Sequence, residues 1–247
     1  MPEHELGITA FFNDNFAGVA NSFLTMVGRH AADRPWSNWM VMQLLIALIV
    51  VVIFGILKLR ISMDKPGGLQ HLFEVVYTYL EQQAREIIGP HYHRYLHLCV
   101  TIFFFVLFSN LIGIIPAFES PTMFPPVTLG LALISFLYYN IQGIRAQGAW
   151  NYAKHFAGPM WQLAFLMIPI EIVSHFARPL SLTIRLYANM FAGEQVTVEF
   201  MKMVPLFVPV IFMALHIFVS FLQAYVFALM TMIYVSSAVE HHAEEHH

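Results

Sequence analysis

Charged side chains are scarce in this sequence. Asp, Glu, Lys and Arg make up 11% of its 247 residues, whereas apolar residues make up 58%. Soluble domains carry about 25% charged and about 45–50% apolar residues, so this composition is typical of a membrane protein. The formal net charge of -3 lacks the basic surplus of a nucleic-acid-binding surface, so we expect no nucleic-acid partner.

Cysteine is nearly absent as well. The one cysteine, Cys99, lies in an apolar run, which excludes an internal disulfide and a metal–thiolate cluster. The histidine-rich tail HHAEEHH has no defined ligand spacing, and we find no glycine-rich phosphate loop or nucleophile motif. We therefore predict no metal, no cofactor and no catalytic site. The N-terminus MPEHELGITAFF lacks the marks of a signal peptide, so residues 1–34 are expected to stay as an outer-side tail.

Long uncharged runs occur in three places, each near the roughly 20 residues that cross a bilayer. They predict upright transmembrane helices at about 36–59, 94–116 and 126–147. A further stretch, about 68–88, carries Leu69, Leu72 and Leu80 on one helical stripe and Gln70 away from it. That pattern predicts an amphipathic helix lying at the membrane surface.

The longest apolar run lies near the C-terminus. No Asp, Glu, Lys or Arg occurs from Met203 to Val239. A helix over 206–239 would be roughly 51 Å long, whereas the hydrocarbon core is about 30 Å thick, so the helix must tilt steeply. With the long segment before it, this run predicts a hairpin of two strongly tilted helices, at about 160–203 and 205–239.

These elements predict an all-α protein in which residues 35–247 form a single membrane domain. Lys and Arg residues cluster between the first two predicted spans and follow the third, whereas the loop between the second and third spans has none. Positive residues favour the cytoplasmic side of a membrane. We therefore expect the N-terminus outside and the C-terminus in the cytoplasm.

The stretch SLTIRLYANMFAGE places Arg185 inside a segment that otherwise reads as membrane-buried. On a helix, Arg178, Glu171 and Asn189 lie within about 40° of Arg185. Small residues, which allow another helix to approach closely, lie directly alongside it: Ser174, Ser181, Ala188 and Ala192. Arginine keeps its proton at physiological pH, so it suits a fixed positive charge better than a proton carrier. The alternatives are a structural ion pair with Glu171 or Glu194, or an arginine that reaches the interface.

Glu194 and His216 are titratable groups in the same predicted hairpin. Glu194 lies about 13 Å along the helix from Arg185 and on the opposite side, so the two cannot pair through a same-face contact. A lone carboxylate at this depth is typical of a proton relay, although it can also mark a helix end in the headgroups. His216 shares a face with Gln223 and titrates near neutral pH, so it is able to exchange protons with Glu194. Isolated histidines on such faces are also common as hydrogen-bonded core residues.

Two motifs, ARPLSLTIRLYANMFAGE and HIFVSFLQAYVFALMTMIYVSSAVE, resemble subunit a of the F-type ATP synthase membrane sector. The resemblance extends from the first predicted span to the tail and is most specific in the final hairpin. It implies a multi-pass stator subunit of a bacterial inner membrane, embedded in the lipid bilayer. Its expected partners are a rotating ring of c subunits and the b-subunit peripheral stalk. Such a subunit provides two half-channels for protons, and phosphoryl transfer on ATP belongs to other subunits.

The resemblance also implies roles for individual residues. Arg185 would face the ring, force its carboxylate to ionise and block direct proton passage between the half-channels. Glu194 and His216 would line the outer half-channel, and Gln223 would pack near the arginine. The other matching polar positions of the hairpin are Glu171, Ser181 and Asn189.

The chain departs from the resemblance after Asn110. Some relatives place acidic residues just beyond that asparagine, where this chain has Gly113 and an apolar run, and Glu119 is the nearest substitute. The choice between H⁺ and Na⁺ is not decided by this chain, because the ion-binding carboxylate belongs to the c subunit.

Three rival functions rank below this one. A redox protein could hold haem between histidines of different spans, namely His97, His175 and His216. A proton-coupled solute transporter would favour an internal repeat and broken helices at the midplane, and we find no convincing repeat. A structural anchor would tolerate loss of Arg185.

Overall fold

The structure is a computed structural model that describes residues 6–26, 32–61, 67–115, 118–148, 152, 164–203 and 208–239. Its seven α-helices in these ranges are α1 Gly7–Met26, α2 Asn38–Arg60, α3 Gly68–Ile88, α4 His93–Leu111, α5 Pro125–Gln147, α6 Ala164–Met203 and α7 Val208–Val239. Two short 3₁₀ turns, Ile112–Ile114 and Pro121–Met123, lie between α4 and α5. The prediction of an all-α protein is confirmed.

Four helical segments of the described chain are long and apolar enough to cross a membrane. They are Asn38–Arg60, His93–Ile114, Pro125–Gln147 and Val210–Val239. These segments correspond to the three predicted spans and the second helix of the predicted hairpin. Helix α6 is not among them because its charged and polar residues lower its hydropathy. The upright and tilted orientations stay predictions, and the expected starts of the hairpin helices, 160–163 and 205–207, lie outside the described residues.

Helix ends follow the local sequence. Helix α5 begins with Pro125 and Pro126 in its first turn, where a backbone N–H would have no helical partner, so proline is favourable there. It ends at Gly148, which adopts a φ of 79° and donates its N–H to the carbonyl of Ile144. Glycine reaches this left-handed region without the steric cost that a side chain brings.

The core lies where α4, α5, α6 and α7 meet, and α4 and α7 form its central pair. Helix α6 buries Leu182, Leu186 and Met190, which recur every four residues and so form one helical stripe. Helix α7 buries Ala224, Phe227 and Ala228 in the same cluster. The small side chains of the two alanines allow the neighbouring helix to approach closely. The side of α6 that bears Ser181, Ala188 and Ala192 is consequently left exposed.

Helix α3 packs against α4 and α7, but its predicted apolar stripe is divided between two surroundings. Leu80 and Ala84 are buried, whereas Leu69 and Leu72 are exposed. Gln70, expected on the polar side, is buried, and its Nε2 donates a hydrogen bond of 2.7 Å to Glu74 Oε1. The Glu74 carboxylate offsets most of the cost of burying the Gln70 amide. Periodicity alone does not reveal such a contact.

The N-terminal segment, for which the sequence predicts only a tail, contains the helix α1. Asn13 anchors α1 to the start of α2, because its Nδ2 donates to the carbonyl of Trp36 and its Oδ1 accepts the Trp36 N–H. The N–H of Leu6 donates to Asn38 Oδ1 at 3.3 Å. Polar contacts therefore hold the beginning of α1 beside the first residue of α2.

Candidate functional site

Arg185 lies at the border between the buried and exposed sides of α6. Leu182 and Leu186 beside it are buried, whereas Ser181 and Ala188 are exposed. Arg185 itself is half-buried, and none of the described residues gives it a hydrogen bond or an ion pair. A guanidinium carries five N–H donors and a permanent charge, so it is a strong ligand for an acceptor that this part of the chain does not supply.

The predicted polar neighbours of Arg185 meet across the α6–α7 contact. Asn189, one turn after Arg185, donates from Nδ2 to Gln223 Oε1 at 2.8 Å. Gln223 is only 4% exposed, and its Nε2 has no partner in the described chain. The structure thus brings Asn189 and Gln223 together beside the arginine, and it leaves one buried amide donor unused.

Glu194 and His216 also lie at the α6–α7 contact, beyond Asn189. Gly193 allows the helices to approach here, since a Cβ at that position would lie 3.2 Å from His216 Nδ1. Glu194 Oε2 and His216 Nε2 are both buried without a partner among the described residues, and no hydrogen bond between these two side chains is found there. Buried polar atoms normally have a hydrogen-bond partner, and bound water is one way to satisfy them.

A polar network continues from this point through α4 and the second 3₁₀ turn. Asn110 is buried, donates from Nδ2 to the carbonyl of Ser220 at 3.4 Å, and accepts a 2.6 Å hydrogen bond from Thr122 Oγ1. The ring of His216 lies beside the main chain at Asn110. Asn110 therefore ties α4 to α7, as expected of a polar residue in helix packing, and it also adjoins the His216 ring.

Glu119, the acid proposed as a substitute in the departing segment, lies on the Glu194 side of the molecule. Asn38 donates from Nδ2 to Glu119 Oε2 at 3.4 Å, and Glu119 is within electrostatic range of Glu194. Asn38 and Thr122 are not among the site residues predicted from the sequence. Their only signal was a polar residue at the start of a span and one in a short loop flanked by prolines.

The remaining predicted residues lie on the other side of Arg185 along α6. Glu171 is half-buried, roughly 21 Å from Arg185 along the helix axis, so the two groups are not in contact. Arg178, between them, donates to Ser237 Oγ at 3.4 Å and lies 5.4 Å from the centre of the Tyr234 ring. Neither Glu171 nor Glu194 is thus paired with Arg185 in the described structure. Among the residues that the structure describes, no three His, Cys, Asp or Glu side chains lie close enough together to hold a metal ion.

Comparison with known proteins identifies the family. The family model described as ATP synthase A chain matches residues 40–236 of this chain. This chain belongs to the ATP synthase A chain family. The match begins inside α2 and ends inside α7, so it includes Arg185, Asn189, Glu194, His216 and Gln223 and leaves α1 outside.

Curated relatives match most of the chain. The chain is 59% identical to ATP synthase subunit a of Solibacter usitatus (strain Ellin6076), over 93% of this chain and 99% of that protein. It is 45% identical to ATP synthase subunit a of Koribacter versatilis (strain Ellin345), over 98% of this chain and 99% of that protein. A third relative, ATP synthase subunit a of Helicobacter hepaticus (strain ATCC 51449 / 3B1), is 42% identical over 79% of this chain and 87% of that protein.

The loop that carries Glu119 depends on Gly113 in this family member. A Cβ at Gly113 would lie 2.9 Å from Ser120 Cβ and 3.3 Å from the Ser120 nitrogen. Because a backbone atom is involved, no side-chain rotation relieves the clash. We expect Gly113→Ala to lower the free energy of unfolding by about 1–3 kcal/mol.

The measurement is thermal unfolding of the purified chain in detergent, with Gly130→Ala as the matched control. A Cβ at Gly130, in α5, meets nothing within 4 Å, so alanine there should be neutral or slightly stabilising. Equal melting temperatures for Gly113→Ala and wild type would show that this contact does not hold the loop.

Proposed function

We propose that this chain is the proton-translocating stator subunit of an F-type ATP synthase membrane sector, in which two half-channels meet at Arg185. The observation that supports the proposal is the environment of the Arg185 side chain. It is half-buried on a helix with small residues along its exposed side, and it lacks a partner among the described residues. A carboxylate on a partner subunit would supply the negatively charged acceptor that Arg185 lacks in the described chain.

The ring of c subunits supplies that carboxylate, and its helix packs against the strip of Ser181, Ala188 and Ala192. At a separation of about 4 Å and an effective dielectric constant near 20, attraction between the two charges is about 4 kcal/mol. This corresponds to roughly a thousandfold preference for the ionised carboxylate. A ring carboxylate therefore loses its proton on reaching Arg185, and the fixed cation repels protons that would cross directly.

The outer half-channel runs beside Glu194 and His216. Their unpartnered buried atoms support this assignment, as do Glu119, Asn110 and Thr122, which extend a polar route away from Arg185. The inner half-channel runs on the opposite side of Arg185, past Ser181 and towards Glu171. Asn189 and Gln223 support the arginine from the α6–α7 contact.

The orientation proposed for the chain has its N-terminus outside and its C-terminus in the cytoplasm of a bacterial inner membrane. The b-subunit peripheral stalk holds this stator against the turning ring. Phosphoryl transfer takes place on other subunits, and the ring determines whether H⁺ or Na⁺ is carried. The chain thus contributes electrostatics and a path for the ion.

Disulfide crosslinking tests the contact with the ring. Cys99 is the one cysteine of the sequence, so a Cys99→Ala background leaves no thiol in the chain. We expect Ala188→Cys and Ala192→Cys, placed in that background, to crosslink to a cysteine introduced beside the carboxylate of a c subunit. Both positions are exposed on the Arg185 side of α6.

The matched control is Leu48→Cys in α2. Leu48 is 60% exposed, so it is accessible, but it lies on a different helix from the proposed ring contact. It should give no crosslink to the ring under the same oxidation. Crosslinking at Leu48 equal to that at Ala188, or none at either alanine, would place the ring on another surface.

A further inference from the structure

Helix α1 begins where a membrane-crossing segment starts and another ends. The N–H of Leu6, just before α1, donates to Oδ1 of Asn38, the first residue of α2. The Leu6 side chain packs against the buried cluster that contains Met42 of α2 and Ile112, which follows α4. Both segments are long and apolar enough to cross a membrane. The start of α1 is therefore held at one face of the membrane, the side on which Asn38 contacts Glu119.

Further contacts hold α1 against the chain that leads into α2. Asn13 exchanges two hydrogen bonds with the main chain of Trp36, and the Trp36 indole N–H donates to the carbonyl of Phe16 at 3.0 Å. Further along α1, Asn21 exchanges two hydrogen bonds of 3.1 Å with the main chain of Ala32. Asn13 and Asn21 lie within about 80° of each other on a helix. One side of α1 thus faces this segment, which fixes the rotation of the helix about its axis.

An apolar stripe lies on one flank of that tethered side. Counted from Asn13 in steps of about 100° per residue, its members fall between about 60° and 140° in one rotational sense. The stripe includes Ile8, Phe12, Phe16, Val19 and Met26. Phe16, Val19 and Met26 are 45%, 62% and 86% exposed. The rest of the described chain therefore leaves most of this stripe uncovered.

The other flank of α1 is polar or lacks side chains. Asp14 lies about 100° from Asn13 in the opposite rotational sense, and Gly7 and Thr25 lie at about 120°. Asp14 and Thr25 are exposed, and a Cβ at Gly7 would meet nothing within 4 Å. The side opposite Asn13 is mixed and carries Phe11, Asn15 and Ser22. The tether thus separates an apolar flank from a polar one, as in a helix that rests on a membrane beside a span.

The composition of α1 favours lipid as the partner of the stripe. The helix contains no Lys or Arg, and Asp14 is its one acidic residue, so its binding surface is apolar rather than charged. Its polar side chains would be costly inside the hydrocarbon core, which favours a helix lying at the surface over one that inserts. The Trp36 ring packs against Phe12 at the same end, with centroids 5.8 Å apart. Tryptophan is enriched at membrane–water interfaces.

We propose that α1 is a surface anchor that binds the membrane lipids on the Glu119 side. The helix lies flat, with Phe16, Val19 and Met26 in the boundary between headgroups and acyl chains and with Asp14 in water. This inference is independent of proton translocation, because it requires only that α2 crosses the bilayer. The family match begins at residue 40, so the anchor lies outside the matched part of the chain.

The test places a bimane fluorophore on either flank of α1 in the full-length Cys99→Ala chain. Val19→Cys carries the label on the apolar flank. Thr25→Cys is the matched control, at about the same angle from Asn13 on the polar flank. Each labelled chain is reconstituted in phosphatidylcholine vesicles, and emission is measured with brominated phosphatidylcholine and with aqueous iodide. We expect the brominated lipid to quench the Val19 label roughly threefold more than the Thr25 label, and iodide to show the reverse order.

The outcomes distinguish lipid from a protein partner. Equal iodide quenching at Val19 and Thr25 overturns the proposal, because no other subunit is present to cover the stripe. Protection of the Val19 label that is lost when the lipid-to-protein ratio is raised also overturns it, since a second copy of the chain would then be the partner. If Val19→Cys does not fold, Met26→Cys on the same flank is compared with Thr25→Cys in the same way.

A change of vesicle composition tests how the helix binds. Because α1 has no Lys or Arg, quenching of the Val19 label by brominated lipid should be the same with and without phosphatidylglycerol, and at low and high salt. Loss of that quenching at high salt would overturn the proposal, because it would show attachment by charge instead of by the apolar stripe.

Discussion

Arg185→Ala should abolish ATP-driven proton pumping while leaving ATP hydrolysis by the detached catalytic head unchanged. The substitution removes the fixed charge that the ring carboxylate meets, and with it about 4 kcal/mol of attraction, so proton release at the stator should slow by roughly three orders of magnitude. The alanine is tolerated sterically, since the position is half-buried and makes no bond within the described chain. Pumping is measured in vesicles that contain the complete synthase.

Arg145→Ala is the matched control for this experiment. Arg145 is exposed in the last turn of α5, where its charge faces no proposed carboxylate, so the variant should pump at the wild-type rate. Both variants are compared at equal amounts of assembled complex. Coupled pumping retained by Arg185→Ala would contradict the electrostatic role and favour a structural anchor.

Most of the helices could be predicted from the sequence because they leave a local signal. The predicted surface helix at 68–88 coincides with α3, and α5 begins within one residue of its expected start, because Pro125 and Pro126 mark a first helical turn. Helix α1 gave no comparable signal. Its attachment depends on Asn13 and Trp36, which are far apart in sequence, so it became visible only in three dimensions.

The candidate site was predictable to the level of helix faces and no further. Periodicity put Asn189 near Arg185 and put Gln223 on the same face as His216, but the 2.8 Å contact between Asn189 and Gln223 joins two helices. The contact of Glu119 with Asn38 joins residues 81 positions apart. Such pairs depend on how helices and loops pack, and a single sequence carries no record of that packing.

The contacts of His175 likewise could not be predicted from the sequence. The sequence suggests a role for His175 only as a haem ligand, because a single sequence does not show which groups a histidine on an apolar helix contacts. The structure supplies Asn140 and Tyr152, which arrive from α5 and from beyond its end. Those contacts, rather than the residue type, determine that His175 Nε2 donates its proton to Asn140 Oδ1.

Glu194→Gln and His216→Ala should each slow passive proton flux through the membrane sector by roughly tenfold. Each removes one titratable group from the pair whose buried atoms lack partners, while water beside the other keeps some transfer. Flux is measured in vesicles stripped of the catalytic head, under a potassium diffusion potential.

The matched control is Glu199→Gln, which changes the same residue type on the same helix. Glu199 pairs with Lys202 at 2.8 Å, and both side chains are 64% exposed. An exposed pair of this kind contributes little to stability and offers no buried route. The control variant should therefore conduct protons as wild type does.

Exchanging the two groups distinguishes proton transfer from packing. The double variant Glu194→His with His216→Glu keeps one carboxylate and one imidazole at the α6–α7 contact, so flux should recover in part relative to either single variant. Gly193 makes this feasible, since it leaves space against residue 216, and a glutamate is narrower there than the imidazole. A packing role predicts the reverse, because two misfitting side chains should disturb the helix contact more than one. Unchanged flux in both single variants would remove Glu194 and His216 from the route, and it would leave Glu119 and Asn110 as the polar groups to test on that side of Arg185.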